Sequence, residues 1–312
     1  MFMSDRLKNF VIWGIFVLLL VNIVLGIVLV SINVKRAKVL STGISSLIGN
    51  VGLIKVNGII SSQEEDYFSY TYANAEKIAN QIKTFADTPT IKAIRIDVSS
   101  PGGTVSGAET IVSAIRYAKE KGKKVVVFMK EIATSGGYYV SALADHIVAS
   151  RGTLTGSIGV IVQGINMKGL FEKLGLKVYT FKSGELKDIL SPYRDVSDKE
   201  KQLLKNIVDS YYQRFLEIIL EGRSNKIKKE ELLKIADGRI LTEVDALKSN
   251  LIDSIGTEFE VENILKDLTG ERTITYVSLP ERRSIIKELL RSFFGFNFSY
   301  ENLFPKILYL GY

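Results

Sequence analysis

A serine followed by two glycines is the group of residues in this sequence whose types best suit covalent chemistry. Ser135 lies in the stretch Glu131–Val140, E-I-A-T-S-G-G-Y-Y-V. The β-branched run Val125–Met129 before it predicts a buried strand, and the small residues of Tyr139–Ala144 predict a short helix. A serine at such a strand-to-helix turn presents its hydroxyl beside the glycine amides. The alternative, a serine that only caps the helix, is much the commoner role and is favoured by this stretch alone.

A second glycine turn favours the interpretation of Ser135 as a nucleophile over that of a helix cap. The predicted strand Ile91–Val98 ends at Ser99–Gly103, S-S-P-G-G. Backbone amides from two separate turns suit the oxyanion of a tetrahedral intermediate, and one such donor contributes about 3–4 kcal/mol. A Pro-Gly pair by itself marks any turn. Combined with the Ser135 turn, it indicates a site for acyl transfer, with the amide of Gly136 as one donor.

A serine nucleophile needs a general base, and the composition leaves few candidates. The sequence has no cysteine and a single histidine, which excludes thiolate catalysis, disulfides, cysteine-ligated zinc and histidine-cluster metal sites. That histidine, His146, follows Ser135 by eleven residues. Beyond a short helix it would lie on the order of 15 Å away. The other candidates are lysines, and a lysine acts as a base only if its pKa falls from ~10.4 to about 7–8.

The N-terminal region predicts a membrane anchor. Residues 10–32 are almost wholly apolar, which suits one transmembrane helix of about 20 residues. A cleaved signal peptide, with an apolar core of only about 7–15 residues and a small-residue cleavage site, fits less well. Two basic residues precede the span and three follow it: Arg6 and Lys8, then Lys35, Arg36 and Lys38. This count mildly favours a cytoplasmic location for the C-terminal side.

Strands and helices alternate over most of the chain, which predicts an α/β fold with a mostly parallel sheet. Further predicted strands are Val51–Ile60, His146–Ala149 and Lys177–Phe181, and further helices are Asn74–Phe85, Ala108–Lys119 and Met167–Leu174. Ser197 and Glu200 form a capping box that opens a long helix to about Glu221. Its apolar stripe predicts a core or subunit contact.

The predicted organisation has five parts. They are a short N-terminal tail (1–9), the transmembrane anchor (10–32), a linker (33–50), the catalytic domain (51–270) and a basic, aromatic tail (271–312). The tail predicts a packed amphipathic helix, with a membrane-surface segment as the alternative. The net charge of +7 is compatible with an anionic partner but more often reflects solubility alone, and no nucleic acid is expected.

Five motifs together resemble the signal peptide peptidase A family, also called protease IV. In chain order they are S-S-P-G-G, A-T-S-G-G-Y-Y, T-G-S-I-G-V, K-S-G-E-L-K-D and A-D-G-R. The likeness is to the short, single-copy form of that family and covers roughly Val51–Gly256. It implies a membrane-anchored Ser/Lys-dyad serine protease on the fold of the Clp protease and the crotonases, with repeated β-β-α/βαβ units after one transmembrane helix.

The resemblance also assigns roles to individual residues. It implies that Ser135 is the nucleophile and that Lys187, in K-S-G-E-L-K-D, is the base, whereas Lys182 has no catalytic role. Ser157 would orient the lysine. The oxyanion amides would be those of Gly136 and Gly103, with Gly102 left open as an alternative. Thr134 stands where the family more often has alanine, a change too small to alter the assignment.

The function implied is an endopeptidase that degrades cleaved signal peptides remaining in the membrane, without a cofactor. The family's catalytic domain lies outside the cytoplasm, and we follow the family over the charge count because long domains translocate largely regardless of flanking charge. Protomers of relatives join in a ring or dome, so a homo-oligomer is expected. The alternatives are a crotonase-type acyl-CoA enzyme, which the anchor fits poorly, and a catalytically silent membrane scaffold.

Overall fold

The computed structural model describes residues 49–62 and 72–279, together with the isolated residues 13, 18 and 19. Apart from those three residues, the predicted anchor lies outside these ranges, as do most of the predicted linker and residues 280–312 of the predicted tail. Within the described ranges, no helix is both long and apolar enough to cross a membrane. The chain divides into two units, Met1–Ile48 and Gly49–Tyr312, and the elements below belong to the second.

The second unit alternates strands and helices in the described ranges. The strands are β1 (Val51–Asn57), β2 (Ile59–Ser61), β3 (Tyr72–Asn74), β4 (Ala93–Ser100), β5 (Lys124–Thr134), β6 (His146–Ala149), β7 (Leu154–Gly156), β8 (Ile240–Thr242), β9 (Ser254–Ile255) and β10 (Tyr276–Val277). The helices are α1 (Ala75–Asp87), α2 (Val105–Glu120), α3 (Gly136–Ser141), α4 (Lys168–Lys173), α5 (Asp198–Arg223), α6 (Lys229–Leu233), α7 (Glu243–Lys248) and α8 (Glu258–Thr269).

Eight strands form one sheet in the order β10-β1-β4-β5-β6-β9, with β7 beside β5 and β8 beside β7. Each pairing is parallel except that of β7 with β8. The small strands β2 and β3 form a separate parallel pair. The prediction of an α/β fold with a mostly parallel sheet is therefore confirmed.

Helices cover both faces of the sheet. On one face, Val261 and Leu265 of α8 pack with Val51, Val126 and other sheet residues in one buried cluster. Successive strand residues point to opposite faces, so Gly52 faces the other side. There α1 lies so close that a Cβ on Gly52 would be 2.4 Å from the ring of Phe85. The sheet is thus a buried middle layer whose strand ends can hold a site rigidly.

Strand β5 changes its pairing partner toward its C-terminal end. Its first half pairs with β6, and Ile132–Thr134 pairs with β7. Against β4, the register shifts between Val98 and Ser100, an irregularity of the kind that re-aims a strand near active sites. Because β4 and β5 are parallel neighbours, the glycine turn after Ser100 and the turn at Ser135 lie at the same edge of the sheet.

The structure differs from the predicted elements at three places. The predicted strand Val51–Ile60 is divided at Gly58, whose φ is 85°, so that β2 leaves the main sheet. The prediction of a strand at Lys177–Phe181 is wrong: these residues are exposed and irregular, because no neighbouring strand pairs with them among the described residues. Tyr276–Val277, within the segment predicted as a tail, pairs with β1.

Candidate active site

Ser135 occupies the junction between β5 and α3 in an unusual backbone conformation. Its φ and ψ are 52° and −120°, and its half-buried side chain makes no capping hydrogen bond to the helix. Its backbone amide donates to the carbonyl of Gly156, and its carbonyl accepts from the amide of Tyr139. The backbone is therefore fixed on both sides while the hydroxyl remains available, which removes the ordinary capping role as an explanation.

Positive φ angles occur in each of the three segments that carry a predicted catalytic or orienting side chain. Among the described residues, four other than glycine have them: Ser135, Ser157, Leu190 and Asn250. Asparagine adopts this conformation readily. The other three each store about 1–3 kcal/mol of strain, which persists only where the surrounding structure imposes it and often at functional sites. They fall in the three segments that carry Ser135, Ser157 and Lys187.

The amides of Gly103 and Gly136 lie together beside the serine. The carbonyl of Gly102 accepts from the amide of Ile60 at 2.8 Å. Because the peptide is trans and planar, the amide of Gly103 points the opposite way. A Cβ on Gly136 would lie 3.2 Å from the nitrogen of Gly103, and one on Gly102 would lie 3.2 Å from Oγ of Ser135. Among the described residues, neither amide donates to another protein group.

Gly102 is a poorer candidate for an oxyanion donor. Its amide donates to Oγ of Ser100 at 3.1 Å, so its N–H is already occupied. Ser100 is fully buried and fixes the start of the glycine turn. The sequence leaves open whether Gly102 or Gly103 supplies the second oxyanion amide. The hydrogen bonds of the turn favour Gly103.

Sequence reasoning missed two supports of the glycine turn. The hydroxyl of Thr134 donates to the carbonyl of Pro101 at 3.2 Å, which joins the end of β5 directly to the turn after β4. Ile60 of β2 holds the turn through its amide and through its carbonyl, which accepts from Thr104 at 2.8 Å. The unusual threonine was a visible signal, whereas nothing local marks Ile60 because the pairing is non-local.

Strand β2 lies so close to Gly103 that no side chain fits there, and this gives a first prediction. Replacing Gly103 with alanine would put a Cβ 2.0 Å from the carbonyl oxygen of Ile60, so the turn must move. Removing one oxyanion donor costs about 10²–10³ in kcat, and we expect a loss of that order. Gly169→Ala, in α4 with nothing within 4 Å of the added atom, is the matched control. Peptidase activity in a folded Gly103→Ala protein equal to that of the control would contradict this geometry.

Ser157 lies next to the backbone of the serine turn. Its amide donates to the carbonyl of Arg239 at 2.7 Å, and its φ is 49°. The preceding residue, Gly156, is the one that accepts from the amide of Ser135. The strand β7 thus brings this second serine to the same edge of the sheet.

Lys187 lies on an exposed turn, outside the strands of the sheet that positions the serine. It lies on a turn whose backbone is closed by a bond from its own amide to the carbonyl of Gly184, and its side chain is exposed. Within the described ranges, no hydrogen bond or ion pair joins that side chain to Ser135 or Ser157. The described residues therefore bring the serine and the two amides together, and they show no bond from Lys187 to either serine.

The segment around this lysine, residues 161–193, is called the arm here. Many of its large apolar side chains are exposed: Ile161, Val162, Ile165, Leu170, Leu174, Leu176, Val178, Tyr179, Phe181 and Tyr193. Phe181 is 95% exposed. So many exposed apolar side chains in one segment are typical of an interaction site.

His146 is placed far from the serine. It pairs with Val126 near the start of β5, and Ser135 follows nine residues later along the chain, or about 30 Å of extended strand. Its Nε2 lies 3.0 Å from Oγ of Ser254, and burial lowers its pKa. Among the residues that the structure describes, no group of three or more acidic or histidine side chains is placed to hold a metal ion.

The turn at Ser135 suits acyl transfer, and comparison with known proteins identifies the class as serine peptidases. The profile of peptidase family S49 matches residues 117–271. A putative signal peptide peptidase SppA of Enterococcus faecium is 34% identical over 243 residues, covering 78% of this chain and 69% of its own. A putative protease of Methanocaldococcus jannaschii is 33% identical over 303 residues, covering 96% and 91%.

This chain therefore belongs to peptidase family S49, the family of signal peptide peptidase A, and the resemblance carried by its five motifs is confirmed. A solved structure of a serine-to-alanine mutant of the 1510-N membrane-bound stomatin-specific protease is 17% identical, with a TM-score of 0.48. It covers 75% of this chain and 98% of its own. At that similarity it supports no conclusion about function.

Proposed function

We propose that this protein is a membrane-anchored endopeptidase that degrades cleaved signal peptides through a Ser135–Lys187 dyad. The observation that carries the proposal is the position of Ser135, at positive φ and beside the amides of Gly103 and Gly136. Membership of the signal peptide peptidase A family supports the substrate class. Membrane-derived peptides would bind extended, with small apolar side chains in the pockets.

The proposed reaction proceeds through an acyl-enzyme. Oγ of Ser135 attacks the scissile carbonyl carbon while its proton passes to the neutral amine of Lys187. The amides of Gly103 and Gly136 donate to the resulting oxyanion. When the intermediate collapses, the C–N bond breaks and the leaving amine takes the proton from the lysine. Water then attacks the ester, again with Lys187 as base, and releases the acid and the free serine.

Ser157 has a supporting role in this scheme. In this proposal Ser157, which has a positive φ beside the serine turn, accepts a hydrogen bond from the lysine amine and directs its lone pair toward Ser135. A hydroxyl suits this task because it accepts a hydrogen bond without carrying a negative charge. A carboxylate in its place would favour the ammonium form, which cannot act as a base.

A serine-directed fluorophosphonate probe tests this proposal against its two alternatives. We expect the full-length protein to be labelled at Ser135 and Ser135→Ala to be unlabelled with an unchanged melting temperature. Ser113→Ala, which alters an exposed serine of α2, should be labelled like the wild type. A crotonase-type acyl-CoA enzyme or a silent scaffold would not be labelled at Ser135, so absence of labelling in folded wild-type protein would refute the peptidase mechanism.

The proposed location is the cell membrane, with the catalytic domain outside the cytoplasm. The apolar residues 10–32 and the family support this arrangement. Protease added to intact spheroplasts should therefore digest the domain from Val51 onward, and a cytoplasmic marker protein should survive as the control. Protection of the domain until the cells are lysed would reverse the orientation, in agreement with the flanking charges.

A further inference from the structure

Arg194 is a half-buried link between the turn that carries Lys187 and the long helix, beside the exposed pair of Lys199 with Glu185. Arg194 donates to both carboxylate oxygens of Asp188, at 3.0 Å from Nε and 2.7 Å from Nη2. The same guanidinium donates to both oxygens of Glu200, at 2.9 Å from Nη1 and 2.5 Å from Nη2. Arg194 therefore joins the residue beside Lys187 to the first turn of α5.

The helix end of this bridge is rigid. The side chain of Glu200 is 1% exposed and also accepts from the amide and the hydroxyl of Ser197, at 2.8 and 2.9 Å. The hydrogen bonds from Arg194 and then from Ser197 lower the pKa of Glu200 to about 2. A planar guanidinium can bind two carboxylates in this forked manner, whereas a lysine ammonium cannot.

At the turn end, the carboxylate of Asp188 is held by two cations. Besides Arg194, the Nζ of Lys182 lies 2.6 Å from its Oδ1 and 2.7 Å from the carbonyl oxygen of Glu185. The hydrogen bonds from Arg194 and Lys182 hold the pKa of Asp188 well below its usual value. Lys187 takes no part in this cluster and makes no ion pair within the described residues.

The consequence concerns the charge of the proposed base. An unpaired carboxylate on the adjacent residue would favour the ammonium form of Lys187, which cannot accept a proton. The charged groups around the turn are Lys182, Glu185 and Asp188 on the turn itself, and Arg194, Lys199 and Glu200 on the segment packed against it. Each of these carboxylates has a cation partner other than Lys187.

We propose that Asp188, Arg194 and Glu200 are positioning residues for Lys187. They fix the turn that presents the lysine, and they keep the Asp188 carboxylate occupied so that it does not pair with the lysine amine. This inference rests on the proposed role of Lys187 as the general base. It assigns the long-helix capping box a part in catalysis beyond starting the helix.

The test measures how fast the full-length protein in detergent is labelled at Ser135 by the fluorophosphonate across neutral and alkaline pH. Arg194→Gln is expected to slow labelling at least about tenfold through a displaced lysine. It should also move the pH midpoint about one unit to the alkaline side, because Asp188 keeps only Lys182 as a cation partner and its other oxygen can pair with Lys187. Adding Asp188→Asn removes that charge, so the double variant should return to the wild-type midpoint while remaining slow.

The control is Lys201→Gln, which breaks the exposed pair with Asp198 in the first turn of α5 and should change neither rate nor midpoint. Melting temperature and oligomeric state are recorded for each variant, and Asp188→Asn alone provides an isosteric change if Arg194→Gln does not fold. A wild-type midpoint in folded Arg194→Gln would overturn the inference, whatever its rate; if that variant does not fold, a wild-type labelling rate in Asp188→Asn would overturn it. If Lys187→Ala is labelled at the wild-type rate, it is the proposed dyad that fails instead.

Discussion

Replacing Lys187 with alanine is expected to reduce peptidase activity by about 10²–10⁴-fold, the usual contribution of a positioned general base, which is the role proposed for this lysine. Without the amine, the proton of Ser135 has no acceptor: the sequence has no cysteine, and His146 lies at the other end of β5. Lys187→Arg should not restore activity because a guanidinium stays protonated. The measurement is kcat on a quenched peptide together with the labelling rate at Ser135.

Two further lysines of the arm serve as matched controls. Lys177 lies outside the K-S-G-E-L-K-D motif, so Lys177→Ala should keep wild-type activity. Lys182→Ala removes the bond to Asp188 but not the base, so a loss of about tenfold or less is expected. Wild-type activity should rise with pH as the lysine amine loses its proton. A midpoint near ~6.5 that disappeared in His146→Ala would instead identify the histidine as the base.

The elements near Ser135 could be predicted because the sequence patterns that specify them are local. The β-branched run before Ser135 and the small residues after it correspond to β5 and α3, and the capping box at Ser197 and Glu200 begins α5 as predicted. The glycine turn after β4 also lies beside Ser135, since parallel strands place their carboxyl ends at one edge. Hydrophobic periodicity and turn chemistry act over a few residues.

Other features could not be predicted because they depend on distant parts of the chain. The choice of Gly103 over Gly102 as the free amide depends on hydrogen bonds from Ile60 and Ser100. The bridge through Arg194 has no sequence pattern beyond the capping box. At Lys177–Phe181 a strand was predicted that does not form, and the apolar residues of this segment are exposed. Composition alone does not distinguish an exposed apolar surface from a buried strand.

The exposed arm supports a proposal that protomers form a ring in which catalytic sites are shared. The arm displays its apolar side chains, as does the first half of α5 through Leu203, Ile207 and Tyr211. A head-to-tail contact that repeats and closes produces a ring. Such a contact would cover these side chains and bring the exposed Lys187 of one protomer toward the Ser135 turn of the next.

The contacts of the long helix α5 support the idea that Lys187 and Ser135 of one protomer lie well apart. Glu200, at the start of α5, holds the lysine turn through Arg194. Further along the helix, the ring of Phe215 packs edge-on against Tyr139 of α3, with centroids 4.9 Å apart. The fifteen residues from Glu200 to Phe215 span about 22 Å of helix. The turn that carries Lys187 and the helix α3 that follows Ser135 are therefore joined to well-separated parts of α5.

Co-expression of Ser135→Ala and Lys187→Ala chains is expected to restore activity that neither chain has alone. With equal amounts and random order in a head-to-tail ring, about a quarter of the contacts combine an intact serine with the intact lysine of the neighbour. Two different affinity tags, purified in sequence, establish that both chains are in the same assembly. The control mixes the two variants after separate assembly, when no exchange has occurred. Activity below one per cent of wild type in proven mixed assemblies would mean that each protomer completes its own dyad by bending the arm back onto its own serine turn.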